Sequence, residues 1–537
     1  MAATIQTILL LLVVLAVVAI IARRLNTAPS ILLVIAGIGL ALTPGLPQIE
    51  LAPELVLLGI LPPLIYWAGV TMSWREFRFN LRPIALLAFG AVVFTTCAVA
   101  AAAHFVLGMP LAVGFVLGAI VAPPDAVAPV AILRSLGLPR RLLIVLEAEG
   151  LANDATALIL YRFAVAAVAT GLFSLKEAAG TFALIVVGEI AYGFAVGWCS
   201  LRLRRWAQDP RVEITLSLLT PYAAFLLPQH LGGSGVMATV AAGLFVSWNG
   251  PLLIPAATRL QGIFFWDLLV YFLEGFVFLV TGMQTRTLLE RMDADALHGI
   301  GLAVVLTVAV VVIARFIWVY PAIYLPRWLS PSLARRDPLP PPQQTFLLAF
   351  VGVRGVVSLA AALAIPLTAA AGAPFPEREH ILFITFALIV VTLVGQGIML
   401  PSIVRRLGLS QLAADEQQRE HEAELAVRSG ALNFAQSQLD GLAADGRASP
   451  EALAVLRARH EYRAGGLPVN TPEGVNAAST VAELRMDLIA AEREYIYRML
   501  QEGQITDEGR RRIERELDLE EASIACKKEG GAEPPPL

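Results

Sequence analysis

The chain has 537 residues, 57% of them hydrophobic and 15% charged, with a formal net charge of −3. Soluble domains carry about 25% charged and about 45–50% apolar residues, and a mean hydropathy of +0.70 lies far to the apolar side of them. This excludes an ordinary soluble enzyme, a disordered chain and a secreted disulfide scaffold, and leaves a polytopic membrane protein with some soluble mass attached. The charge is uneven. Residues after 412 hold 24 acidic and 15 basic side chains, a net of −9, which leaves residues 1–412 at +6. Neither balance resembles a nucleic-acid-binding protein. Cys97, Cys199 and Cys526 are far apart and form no metal-binding spacing, so no cofactor is expected.

In chain order, apolar runs fall at 4–22, 29–43, 51–70, 84–106, 109–133, 142–172, 180–201, 213–229, 232–248, 261–284, 297–325, 344–370 and 379–404. The first lacks a basic leader and is followed by Arg23 and Arg24, so it reads as a span rather than a cleaved signal. Thirteen spans are expected, one or two of them short for a bilayer. If the N-terminus lies outside, the cytoplasmic loops hold sixteen Lys and Arg and the outer loops four, counted from the sequence. That bias favours a cytoplasmic C-terminal tail and a cell-membrane location. With thirteen spans, helices one to six can repeat as eight to thirteen. The odd offset inverts the second copy, as in many secondary transporters. Helices five and twelve, at matching places, should both be broken. One holds Val121-Ala-Pro-Pro-Asp-Ala-Val-Ala-Pro129, the other Gly352-Val-Arg-Gly355 and then Pro366. Proline removes amide donors and glycine loosens a helix.

A charge at mid-bilayer costs about 2.5–3.5 kcal/mol even on lenient scales, yet this chain places several there. Asp125 lies in the first break, among freed carbonyls such as those of Ala122 and Pro124. Carbonyls with carboxylates make a hard oxygen site for a small cation. Glu147, Glu149, Asn153, Asp154 and Thr156 lie on helix six, with Arg162 two turns on. Asp154 is read as a carboxylate that takes either a cation or a proton. Two such carboxylates about 7 Å apart repel by about 2.4 kcal/mol at an effective dielectric of about 20, which favours holding one cation or proton between them. Arg354, in the second break, is expected to be an internal counter-charge, for a carboxylate or for converging half-helix ends. Glu149 is its most natural partner. Glu147 reads equally as a vestibule charge. Asp267 and Glu274 share a face of helix ten and either pair with Arg162 or lie at a packing seam. Glu189 and His104 read as packing or funnel residues.

These segments together resemble the sodium/proton antiporters of the bacterial NhaP and eukaryotic NHE type, in the monovalent cation:proton antiporter family, over residues 5–410. Leu61-Pro-Pro-Leu64 with Trp74-Arg-Glu-Phe-Arg78 looks like the family's helix three and its loop. Pro123-Pro-Asp-Ala-Val127 is similar to the family's Thr-Asp-Pro-Val crossing. Glu149-Gly-Leu-Ala-Asn-Asp154 matches its Glu-Ser-x-x-Asn-Asp segment, and Gly352-Val-Arg-Gly-Val-Val-Ser358 its arginine-bearing crossing. Glu274 with Gly282 resembles the family's Glu…Phe…Gly helix. The resemblance implies a homodimer in the lipid bilayer, with a six-helix core moving against a dimerisation domain. It implies Asp154 as the ion- and proton-binding carboxylate, with Asp125 and Asn153 supporting the crossing and Glu149 paired to Arg354. It also implies electroneutral exchange of Na+ or Li+ for one proton, with K+ exchange as the alternative.

The sequence departs from the family pattern at several places. The crossing threonine is Pro124 and its proline is Ala126; the serine after the glutamate is Gly150; an acidic residue some relatives carry on helix three is replaced by Trp67. A membrane enzyme is disfavoured because the spans hold no His-Glu-x-x-His and no serine–histidine pair, and a channel needs no titrating carboxylate. The tail, 411–537, is expected to form helices at 411–442, 449–463 and 478–524, with a loop from Gly465 to Gly474 and an irregular end at Pro534–Leu537.

Overall fold

The computed structural model describes residues 2–25, 27–44, 51–290, 296–369, 373–444, 449–465, 472–502, 504–505 and 507–529. The chain divides into two compact units, Met1–Ala413 and Ala414–Leu537. Among the described residues the only β pairing is an isolated bridge between Thr368 and Pro374.

The first unit opens with α1 (Ala2–Leu25) and α2 (Pro29–Ala41). A π-helical stretch (Leu55–Ile60) then runs into α3 (Leu61–Thr71), and α4 (Trp74–Phe79) is a short connector. α5 (Leu81–Ala85) continues through a second π-helical stretch (Leu86–Ala91) into α6 (Val92–Phe105). α7 (Leu111–Val121) and α8 (Val127–Ser135) flank the first break. The long α9 (Arg140–Thr170), α10 (Leu175–Ala207), α11 (Pro210–His230), α12 (Val236–Leu253), α13 (Ala256–Glu290) and α14 (Ala296–Leu329) follow. After α15 (Pro331–Arg336), α16 (Pro342–Phe350) and α17 (Val356–Leu363) flank the second break. α18 (Arg378–Val390), a third π-helical stretch (Val391–Gln396) and α19 (Gly397–Leu407) close the unit.

Among the described residues eight helices are long and apolar enough to cross a membrane, and three shorter ones are apolar as well. The expected apolar runs all fall on helix, but several are short or interrupted, so length and composition alone return fewer spans than the runs suggest. Helix dominates because a hydrocarbon solvent offers no partner to backbone N–H and C=O groups. Ile8, Leu12, Val13, Val17 and Ile20 of α1, and Leu184, Val187 and Trp198 of α10, stand exposed, as side chains facing lipid do.

Buried polar groups tie the helix ends. Glu189 on α10 accepts the backbone N–H groups of Ser234 (2.5 Å), Gly235 (2.9 Å) and Met237 (3.1 Å), so it caps the start of α12. A carboxylate there meets the positive end of the helix dipole, and this gives Glu189 a structural task. Asp337, in the loop between α15 and α16, draws together Arg82 (2.7 Å), Arg141 (2.7 Å) and Arg327 (2.8 Å) from three different helices. Burial pushes its carboxyl up, but the hydrogen bonds and charges of Arg141 and Arg327 outweigh this and hold it below the usual range.

α20 (Leu409–Ala444) starts in the last residues of the first unit and leads to α21 (Pro450–Gly465), α22 (Pro472–Gln501) and α23 (Asp507–Glu529) of the second. The single helix expected over 478–524 is instead two helices packed as a hairpin. Ile489, Ile496 and Leu517 are buried between them with Ile524 against them, and Arg485–Glu520 (2.7 Å) and Arg493–Asp518 (2.6 Å) bridge them. Gly503 and the helix-starting Asp507 were the breaking signals in the sequence. The expected loop from Gly465 overlaps the start of α22 at Pro472; residues 466–471 and 530–537 lie outside the described residues.

Candidate functional site

Both expected breaks are present, and they meet. After Val121 the chain leaves helix and re-enters it at Val127; after Phe350 it leaves helix and re-enters at Val356. The two irregular stretches bond to each other: Asp125 donates its backbone N–H to the Val353 carbonyl at 2.7 Å. Arg354 donates Nε to the Val121 carbonyl at 2.6 Å and Nη1 to the Gly352 carbonyl at 2.7 Å. Asp125 turns its own Oδ1 onto the Val127 N–H at 2.9 Å and so caps α8. Non-helical backbone is tolerated at membrane depth only where such partners are supplied.

α9 passes beside this crossing. Its Asn153 is fully buried, and Nδ2 donates to the Pro124 carbonyl at 2.7 Å. Asn153 Oδ1 is buried and accepts nothing among the described residues. An unsatisfied buried acceptor costs about 1–3 kcal/mol, and this oxygen is open to accept a bond. Asp154 is half-buried; among the described residues no hydrogen bond or ion pair reaches its carboxylate, and its charge interacts with that of Asp125. Glu274 on α13, also half-buried and without a partner among the described residues, interacts electrostatically with Asp125 as well. Asp154 and Glu274 each feel the charge of Asp125, but among the described residues no three acidic, His or Cys side chains gather closely enough to hold a metal ion. Ala122 and Pro124 are buried in the same turn, the Ala122 N–H closing the last turn of α7 on the Gly118 carbonyl.

Close approach at the crossing depends on two glycines. A Cβ at Gly355 would overlap the Asp125 side chain, and one at Gly150 would come within 2.7 Å of the Ala126 Cβ. Gly150 thus lets α9 lie against the first break, which is the physical counterpart of the missing serine hydroxyl. Gly355→Ala is expected to push the Asp125 carboxylate aside and lower cation affinity about tenfold or more. A titration of exchange rate against cation concentration reads this directly.

The expected Glu149–Arg354 pair is not the one formed. Glu149 is bound by Arg315 of α14, Nη1 to Oε1 at 2.5 Å and Nη2 to Oε2 at 2.9 Å, with both side chains buried. The forked geometry fits a guanidinium on a facing helix. Arg354 lies close enough to interact electrostatically with Glu149 and Arg315, but its Nε–H serves the carbonyl end of α7, where a cation meets the negative end of the helix dipole. Arg315 also donates Nη2 to the Leu348 carbonyl at 3.1 Å and so reaches the second crossing helix. The sequence reading missed Arg315. Its signal was a lone arginine within the apolar run 297–325.

The other candidates bond to partners outside the two breaks. Glu147 pairs with Arg134 (2.5 Å), Arg162 donates to the Gly233 carbonyl (2.5 Å), and Thr156 bonds back to the Ala152 carbonyl of its own helix (3.3 Å). Arg162 therefore takes neither Asp267 nor Glu274. Asp267 instead accepts the indole N–H of Trp67 at 3.1 Å. His104 bonds the Met109 carbonyl at 2.9 Å across a turn.

The profile of the sodium/hydrogen exchanger transmembrane family matches residues 10–406. An uncharacterised Na+/H+ exchanger of Mycobacterium tuberculosis is 34% identical over 94% of this chain and 93% of its own length. The Na+/H+ exchanger YjcE of Escherichia coli, also uncharacterised, is 30% identical over 89% and 90%. A sodium, potassium, lithium and rubidium/H+ antiporter of Bacillus subtilis is 33% identical over 66% of this chain and 54% of its own. The solved sodium proton antiporter MjNhaP1 of Methanocaldococcus jannaschii shares the fold, with a TM-score of 0.55 at 20% identity over 75% of this chain and 98% of that one. From its profile match and its long alignments with relatives, the chain belongs to the sodium/hydrogen exchanger family and is a multi-pass membrane protein.

Proposed function

We propose that the protein exchanges a monovalent cation, Na+ foremost and Li+ as well, for a proton, with no net charge moved. The observation that carries this reading is the Asp154 carboxylate, without a hydrogen bond or ion pair among the described residues, next in sequence to Asn153 with its open Oδ1 and near the two breaks that bond each other. Asp154 holds either the cation or a proton, and Asp125 supports the crossing. Each loaded form is neutral at Asp154, so the site crosses the low-dielectric core loaded; bare, it would carry an uncompensated carboxylate, which is costly in hydrocarbon. One unit charge replaces another, so the membrane potential, about 2.3 kcal/mol per charge per 100 mV, drops out.

Thirteen spans in two inverted six-helix repeats, a mobile core acting by alternating access and a homodimer are part of the same reading. So are a cell-membrane location, an outer N-terminus, a membrane domain over 1–410 and a cytoplasmic tail over 411–537. They are supported by the paired breaks, the arginine bias of the loops and the likeness to the MjNhaP1 fold. K+/H+ exchange is the second reading, favoured by the naming of the Bacillus relative for potassium and rubidium as well as sodium.

The test is reconstitution into liposomes with an acidic lumen and a pH-sensitive dye. Lumen alkalinisation on adding Na+ or Li+, unchanged by a potential clamp, supports the first reading. A response to K+ alone supports the second, and none to any cation from folded protein overturns both.

A further inference from the structure

Two backbone N–H groups of the second break are held from a helix outside the two breaks. The Gly352 N–H donates to Gln396 Oε1 at 3.3 Å, and the Arg354 N–H donates to Thr392 Oγ1 at 3.1 Å. Both acceptors lie on the π-helical stretch Val391–Gln396 between α18 and α19. Such stretches shift the helical register and recur at functional sites. Residues 392 and 396 are four apart, about one turn, and so face the same way. Thr392 is buried, and its hydroxyl also donates to the Leu388 carbonyl at 2.8 Å. That donation fixes the hydroxyl proton and leaves an oxygen lone pair for the Arg354 N–H.

From these two contacts a continuous chain of bonds leads to the site. Gln396 and Thr392 hold residues 352–354; the Val353 carbonyl holds the Asp125 N–H; the Arg354 side chain holds the Val121 carbonyl. Asp125 is thus placed from both ends of its own turn by a segment that has no helical ladder to keep it in register.

We infer that Thr392 and Gln396 are positioning residues that hold the second break in the register the cation site needs. Among the described residues neither bonds to Asp154 or Asn153; they act through the 352–354 backbone on Asp125. This rests on the exchange reading above.

The experiment compares Thr392→Val, Thr392→Ser and Gln396→Leu with wild type in the full-length protein, in two measurements. Hydrogen exchange in peptides covering 351–357 reads the holding itself, whatever the transport activity. Faster exchange in Thr392→Val and Gln396→Leu, restored to the wild-type rate in Thr392→Ser, is expected. Proteoliposome assays with Na+ and Li+ then read the consequence. A cation KM about tenfold higher in Thr392→Val is expected, equivalent to about 1.4 kcal/mol, with kcat within about threefold and Thr392→Ser near wild type. A residue that merely stabilised the fold would lower the amount of active protein and kcat while leaving KM alone. Unchanged hydrogen exchange, or unchanged KM in both Thr392→Val and Gln396→Leu, overturns the inference. Wild type inert toward every cation but with the expected hydrogen-exchange pattern would overturn the exchange reading and leave the holding role standing.

Discussion

Replacing Asp154 by asparagine is expected to abolish cation-driven proton movement, by at least about a hundredfold, while the protein still inserts and folds. The substitution is nearly isosteric, and Asp154 makes no hydrogen bond or ion pair among the described residues that would be broken. Removing an unpaired charge from an apolar surrounding does not by itself destabilise the fold. What is lost is the negative charge that lets one group take Na+ in one half of the cycle and a proton in the other. An amide offers an oxygen to a cation but cannot be protonated near neutral pH. Neighbouring Asn153 is expected to behave differently. Asn153→Ala removes both the open Oδ1 and the bond to the Pro124 carbonyl at 2.7 Å, so it should lower cation affinity and loosen the first break together. Dye-monitored exchange with a melting curve on the same preparation separates the two. Persistent Na+-driven proton flux in Asp154→Asn would remove Asp154 from the mechanism.

Much of this site was legible in the sequence because charges in an apolar run have few explanations. Asp125, Asn153 and Asp154 stood out as polar groups that a bilayer penalises, and Pro123, Pro124, Gly352 and Gly355 marked where the helices would break. Partner choice was less legible. Glu149 lies one turn before Asn153, and two arginines, Arg315 and Arg354, were available to it from distant parts of the chain. Arg354 was singled out by its motif, while Arg315 stood in a run that otherwise read as plain span. Which guanidinium meets the carboxylate depends on how α9, α14 and the second break are arranged in space, and no local pattern encodes that. The π-helical turn bearing Thr392 and Gln396 was equally silent, because its residues read as ordinary apolar helix. In the tail the helical periodicity carried across the turn between α22 and α23, so the break was overlooked despite Gly503.

The Glu149–Arg315 pair gives the second large effect. Arg315→Leu is expected to destabilise the protein by about 3–5 kcal/mol, because it strands a buried carboxylate, and it also frees the Leu348 carbonyl. Glu149→Gln should cost less. It leaves Arg315 bonded to Leu348 and able to donate to an amide oxygen, although the guanidinium loses its counter-charge. Replacing both partners by apolar residues should recover much of the loss, since a buried pair contributes little net stability against a well-packed apolar pair. The decisive measurement is a pair of double-mutant cycles on thermal or denaturant stability. Glu149 with Arg315 should couple by about 1–3 kcal/mol, and Glu149 with Arg354 by much less, as expected of residues in direct contact against those that share only a field. Because Arg354 bonds the Val121 carbonyl rather than a carboxylate, its replacement should weaken cation binding through the crossing. If instead the strong coupling appeared between Glu149 and Arg354, the transporting state would have a different ion pair from the one in this structure, and the pair would be a switch rather than a fixed strut.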